Sequence, residues 1–337
     1  MIYIRTDANE QIATGHVMRC LSIADAAIDM GEETTFIISD DRGLELIKSR
    51  GYRCIVMNTS WDDMDSEIEE LSEIIRVNGI KKLLIDSYYV TYNYLSAINR
   101  LTNVYYIDDL DAFEYPVSGL ICYSSIQERQ SYREKYNDIE LLLGSKYIPL
   151  RREFQNEPLK KEERNSKTRL LITTGGGDNS NIIRRLLNIL DIYSWEKIYV
   201  ICGMFNNNYE SIVSEFKECK NVSFRSNVSD MRRYMIESNL AISAGGTTVF
   251  ELCSCGTPSV VFSIADNQIE NAQLMSDKGL ILYAGDISDD TLIDNVKKEI
   301  NYYENMSNKQ KKDWINKLRN YVDGYGAKRI AEALSEK

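Results

Sequence analysis

The chain has 337 residues, 43% hydrophobic and 27% charged, with a formal net charge of −11 at pH 7. That length suggests two domains with cores of their own, and no apolar run is long enough to span a bilayer. The acidic balance excludes a general nucleic-acid binder, which needs a basic face, but not a single nucleotide, which needs only local N–H donors and an arginine or two.

The chain opens on Met1-Ile2-Tyr3-Ile4, apolar and β-prone, which reads as a buried first strand. It lacks a basic n-region and a small-residue cleavage site, so the cytoplasm is the expected location. A polar loop then leads to Gly15-His16, the only histidine in the sequence. After it Val17, Met18, Leu21, Ile23, Ala24 and Ile28 recur at helical spacing. His16 is therefore expected at a strand-to-helix turn, on the carboxyl edge of a parallel sheet where ligands bind. Imidazole suits a general base near neutral pH, although a histidine that only caps or packs would read the same way locally.

Further strands are expected at Thr34-Thr35-Phe36-Ile37-Ile38, Cys54-Ile55-Val56-Met57, Lys82-Leu83-Leu84-Ile85-Asp86 and Val104-Tyr105-Tyr106-Ile107-Asp108. Helical patterns such as Ile68, Leu71, Ile74 and Ile75 separate them, an alternation that predicts a parallel sheet with helices on both faces. Between Arg151 and Lys167 the chain turns polar and charged, as a linker would. A second alternation follows, with strands expected at Arg169-Leu170-Leu171-Ile172-Thr173, Ile198-Tyr199-Val200-Ile201-Cys202, Leu240-Ala241-Ile242-Ser243 and Ser259-Val260-Val261-Phe262. The seven cysteines are scattered through apolar segments, and Cys253-Ser254-Cys255 has no second pair nearby. They read as core residues, with neither a disulfide framework nor a metal site expected.

Two turns of the second half carry glycines between a strand and a helix. One is Thr173-Thr174-Gly175-Gly176-Gly177-Asp178; the other is Ser243-Ala244-Gly245-Gly246-Thr247-Thr248. Glycines let backbone N–H groups approach a phosphate at a helix N-terminus, though either stretch alone is equally a plain tight turn. Thr247 and Thr248 offer hydroxyls to phosphate oxygens, and Glu251 is placed either to accept from ribose hydroxyls or to complement the helix dipole. Asp266-Asn267-Gln268 opens a further helix, as a site or as a simple cap.

Together these motifs resemble the UDP-2,4-diacetamido-2,4,6-trideoxy-β-L-altropyranose hydrolases of pseudaminic acid biosynthesis, and the spore-coat polysaccharide proteins look similar. Arg5-Thr6-Asp7, Asp86-Ser87-Tyr88, Ile107-Asp108-Asp109, Leu150-Arg151-Arg152-Glu153-Phe154 and Gly324-Tyr325-Gly326-Ala327-Lys328-Arg329-Ile330 extend the resemblance over nearly the whole chain. It implies an α/β GT-B architecture of two doubly wound Rossmann-like domains facing across a cleft. Residues 1–153 would hold the sugar side, 168–323 the nucleotide, and a 324–337 helix would cross back to the first domain. The resemblance makes His16 the base that activates water, with Tyr88 and Asn267 as substrate contacts. Gly15, Gln268, Arg5, Arg19 and Arg151 are further candidates for sugar or phosphate, and Gly175, Gly176, Gly245, Gly246, Thr247, Thr248 and Glu251 for the nucleotide. The expected reaction is metal-independent, inverting release of UDP from a UDP-activated amino or deoxy sugar, with no cofactor, nucleic acid or membrane insertion. The expected partner is the UDP-sugar substrate, and the resemblance leaves association with other enzymes of the sugar pathway open. A glycosyltransferase using a UDP-sugar donor and a non-catalytic nucleotide-sugar binder are the alternatives.

Overall fold

The computed structural model of the protein describes residues 1–9, 11–12, 14–128, 130–136, 138–155, 168–175, 178, 180–203, 206–226 and 228–335. The chain divides into two units, one of Met1–Arg152 with Gly324–Lys337, the other of Glu153–Asp323. Most of the charged stretch read as a linker, 156–167, lies outside the described residues.

The first unit is built on seven strands: β1 (Ile2–Thr6), β2 (Thr34–Ile38), β3 (Arg53–Val56), β4 (Lys82–Asp86), β5 (Asn103–Ile107), β6 (Gly119–Cys122) and β7 (Glu140–Leu143). They pair in the order β3-β2-β1-β4-β5-β6-β7, every pair parallel. Each parallel step needs a crossover, and helical segments supply it except between β5 and β6, where residues 108–118 carry no helix. Sheets covered on both faces read as unbroken apolar runs, which is why β1, β2 and β4 stood out in the sequence. Ile4 sits between Phe36 and Leu84 in register, and all three are fully buried. Each such side chain contributes about 1.5–3 kcal/mol.

The helix Gly15–Asp29 follows β1 and buries Val17, Cys20, Leu21, Ile23, Ala24 and Ala27; Ile28, expected on the same face, is exposed. The closing helix, Gly326–Leu334, belongs to this unit and packs against it. Gly326 admits no side chain, because a Cβ there would lie 2.2 Å from the Ile148 carbonyl oxygen. At the far end the Lys82 ammonium donates to the carbonyls of Ala333 and Ser335, at 2.8 and 3.0 Å.

The second unit repeats the plan with β8 (Arg169–Thr173), β9 (Lys197–Cys202), β10 (Val222–Ser226), β11 (Leu240–Ala244), β12 (Ser259–Ser263) and β13 (Leu282–Asp286). Their order is β10-β9-β8-β11-β12-β13, again all parallel. In both sheets strand order reverses beside the first strand, between β1 and β4 and between β8 and β11. In doubly wound sheets the crevice at that reversal, on the carboxyl side, is where ligands bind.

Candidate active site

In the first unit the titratable side chains gather at that reversal. His16 stands in the first turn of the helix after β1 and is 5% exposed. Its Nδ1 lies 2.6 Å from Oδ1 of Asp86, the last residue of β4. Arg19, one turn further along the helix, grips both oxygens of Asp86: Nε donates to Oδ2 at 2.6 Å and Nη2 to Oδ1 at 2.5 Å. The Cys20 thiol reaches Oδ2 at 3.4 Å. The remaining arm of Arg19, Nη1, donates to Asp109 Oδ2 just past β5 and to the Tyr123 hydroxyl just past β6, both at 2.6 Å. Tyr88 donates to the same Asp109 oxygen at 3.1 Å. Its ring stands edge-on to the imidazole, with centroids 4.4 Å apart at 78°.

Burial opposes charge on Asp86, but the Arg19 guanidinium and the His16 ring outweigh it and hold the carboxyl well below the usual carboxylate range. Burial also opposes charge on Arg19, which Asp109 and Asp86 restore. Burial, and then the Asp109 charge, push the Tyr88 hydroxyl up, so it remains a neutral donor at pH 7. An ionised Asp86 only accepts hydrogen bonds, so its bond to His16 requires the proton on Nδ1. That leaves Nε2 with the lone pair, and no group bonds it among the described residues. An imidazole oriented by a buried carboxylate, with its second nitrogen free, is equipped to take a proton from water or a hydroxyl.

Arg5 lies apart from this cluster and is fully buried. Its Nε and Nη2 donate to the two oxygens of Glu67 at 2.8 and 2.7 Å, and Nη1 to Asp7 at 2.5 Å. Tyr94 and Thr59 add hydroxyls to Glu67, while Asp7 accepts from the Ser39 backbone and hydroxyl. The network ties β1 to the segment after β3. Gly15 begins the helix, and a Cβ there would meet nothing within 4 Å among the described residues. Arg151 is half-buried near the end of the first unit's main segment.

In the second unit, the turn after β8 places Gly175 in the left-handed region, at φ 74°. Gly176 lies outside the described residues, as do Gly177 and Asn179. Asp178 accepts from the backbone N–H groups of Ile182 and Ile183 at 2.7 and 3.2 Å, capping the helix Ile182–Ile189. The Thr174 hydroxyl beside Gly175 is buried and without a hydrogen bond among the described residues.

After β11, the Gly245 N–H is bound to the Phe262 carbonyl at 2.8 Å, and Gln268 crowds its α-carbon. Gly246 is different. It lies outside the left-handed region, and a Cβ there would meet nothing within 4 Å among the described residues. The fold does not require that glycine, so its space is available to a ligand. Thr247 and Thr248 begin the helix Thr248–Cys255, and neither hydroxyl is bound among the described residues. Glu251 stands half-buried in its first turn. Asn267 and Gln268 open the helix Asp266–Asp277 past the end of β12; Asn267 is exposed, and Gln268 Oε1 accepts from the Ile264 N–H at 3.1 Å. Among the described residues no group of three or more His, Cys, Asp and Glu side chains is placed to hold a metal ion.

Of the residues expected from sequence, the first unit thus brings His16, Arg19 and Tyr88 into one cluster, while Arg5 forms a second, buried one. The second unit sets both glycine turns at its own strand reversal. Asp109, Tyr123 and the orienting role of Asp86 were not assigned from sequence. Their signal was present, an acid or a tyrosine directly after an apolar strand run.

Two parallel-sheet α/β units of this strand order define a protein of the GT-B fold. The crystal structure of MurG from Acinetobacter baumannii matches it with a TM-score of 0.69, at 12% identity over 100% of both chains. Residues 153–323 match the model of the glycosyltransferase family 28 C-terminal domain, just over half of the sequence, and the chain belongs to that family. Among curated proteins it is similar to an uncharacterized protein of Methanocaldococcus jannaschii, 24% identical over 77% of this chain and 55% of that protein. It is also similar to the spore coat polysaccharide biosynthesis protein SpsG of Bacillus subtilis, 26% identical over 57% of each. The chain thus spans little more than half the length of these curated relatives.

Proposed function

We propose that this protein is a UDP-sugar hydrolase acting in surface polysaccharide or nonulosonic acid biosynthesis. Water attacks the anomeric carbon of a UDP-activated 2,4-diacetamido-2,4,6-trideoxyhexose, its proton passes to His16 Nε2, and the bond from that carbon to the UDP oxygen breaks with inversion. UDP leaves as a stable anion, so only the attacking side requires a strong base. The observation that carries this reading is the His16–Asp86 pair at 2.6 Å, in which a proton on Nδ1 leaves Nε2 free to act as the base. Tyr88 packs the ring from one side, and Arg19 holds Asp86 in place. In the second unit, Gly246, Thr247 and Thr248 supply N–H and hydroxyl donors to the diphosphate, and Glu251 accepts from the ribose. Arg5 serves the frame, because Glu67 and Asp7 already occupy its guanidinium. The biosynthetic setting follows the likeness to the spore-coat protein.

The same base acting on an acceptor hydroxyl would make the protein a glycosyltransferase, the reading favoured by the family's name. Incubating the protein with a panel of UDP-sugars and no acceptor, in EDTA, separates the two. Free UDP from an amino- or deoxy-sugar donor supports the hydrolase; UDP released only when an acceptor alcohol is added sinks it.

A further inference from the structure

The Nδ1 atom of His16 stands between two groups that make opposite demands. Asp86 Oδ1, at 2.6 Å, accepts, and calls for a proton on Nδ1. Arg19 Nη2, at 3.2 Å, donates, and calls for a lone pair there, which would move the proton to Nε2. Only the first tautomer leaves Nε2 able to act as a base. The outcome turns on where the guanidinium is held and how fully its charge is matched.

We propose that Asp109 is a positioning residue that selects the tautomer of His16, acting through Arg19. Asp109 takes the Nη1 arm of Arg19 at 2.6 Å, and Tyr123 receives a second bond from the same nitrogen. These contacts anchor the end of the guanidinium away from the imidazole. The charges agree with the geometry. Around His16 stand Arg19 and Cys20 from its own helix, Asp86 and Tyr88 from β4 and its turn, and Asp109 and Tyr123 beyond Arg19. With both phenols and the thiol held neutral by burial, one cation faces two carboxylates. Asp109 therefore draws part of the Arg19 charge to itself and leaves Asp86 the stronger acceptor toward Nδ1–H. Without that carboxylate the Nη1 arm loses its ionic partner, and Arg19 can settle toward Nδ1 as a donor. Asp109 also receives the Tyr88 hydroxyl at 3.1 Å, so one side chain steadies both the guanidinium and the ring packed on the imidazole.

The consequence for turnover rests on the hydrolase reading; the tautomer does not. Because His16 is the only histidine, the imidazole 15N spectrum of the uniformly labelled full chain reports it without assignment. At a pH where the ring is neutral, the native protein should show a protonated Nδ1 and an unprotonated Nε2. Asp109→Asn should move both resonances toward the opposite tautomer, and Asp109→Glu should restore them. UDP release by the Asn variant should fall about tenfold or more in kcat, with KM within about threefold. A native ring protonated on Nε2 overturns the proposal, and that measurement needs no variant to fold. An Asp109→Asn spectrum superimposable on the native one overturns it as well. The expected tautomer pattern in a protein that releases no UDP would remove the hydrolase reading and leave this one standing.

Discussion

His16 Nε2 and the carboxylate that orients the ring are separable by experiment, since one takes the proton from the nucleophile and the other holds a proton on Nδ1. His16→Asn should keep the fold and the affinity for UDP while lowering turnover about 10²–10⁴-fold, which is what loss of a general base costs. Calorimetry with UDP beside a UDP-release assay checks both halves; turnover within threefold of native would falsify the role of His16. Gly246→Ala tests the other unit. A Cβ there meets nothing within 4 Å among the described residues, so the melting temperature should stay put while UDP binds more weakly. If binding is unchanged too, the diphosphate does not approach that glycine. The place of His16 at a strand-to-helix turn was legible in the sequence, between an apolar strand run and a helical pattern, but its role was not, because a histidine that caps or packs reads the same way locally. Arg5 and Arg19 were legible only as charges. Their partners Glu67 and Asp86 lie 62 and 67 positions away, and no local pattern announces a pairing across that separation.

Among the elements, most strands buried on both faces declared themselves, and so did the half-exposed edge strand β3. β2, β4 and β8 are apolar runs with bounds matching their expected ones. β7, β10 and β13 were not read as strands, and each is a sheet edge that needs less apolar character: β10 carries exposed Arg225 and Ser226, and β13 includes Gly285 at φ 117°. β6, four buried residues opening on a glycine, was not read as a strand. That glycine is required, as a Cβ at Gly119 would lie 2.4 Å from the Tyr105 ring. The closing helix depends on a glycine more strictly still, since its obstacle is backbone. Gly326→Ala should destabilise the first unit by about 1–3 kcal/mol, as overpacking does, and lower the melting temperature by several degrees. An unchanged melting temperature would mean that the helix can shift off the Ile148 carbonyl at little cost.

At the scale of the whole molecule, the buried charges make stability depend on pH in a defined direction. Asp86 is ionised in the folded chain well below the pH at which it would take a proton when unfolded. Its contribution is therefore complete above about pH 4 and is lost as the pH falls from there toward its folded value. Between about pH 4 and 2 the native protein should lose unfolding free energy more steeply than Asp86→Asn, whose side chain binds no proton. Chemical denaturation across that range measures both slopes, and equal slopes would mean that Asp86 is no better stabilised folded than unfolded. The path of the chain has a further consequence, in the order of synthesis. Residues 153–323 form a complete unit, whereas the first unit is finished only by Gly324–Lys337. A ribosome adding about 5–20 residues per second must make the whole second unit before the Gly326–Leu334 helix emerges, a delay of roughly ten seconds or more. Throughout that interval the helix bearing His16 lacks its neighbour, so the part of the protein made first is the last to close.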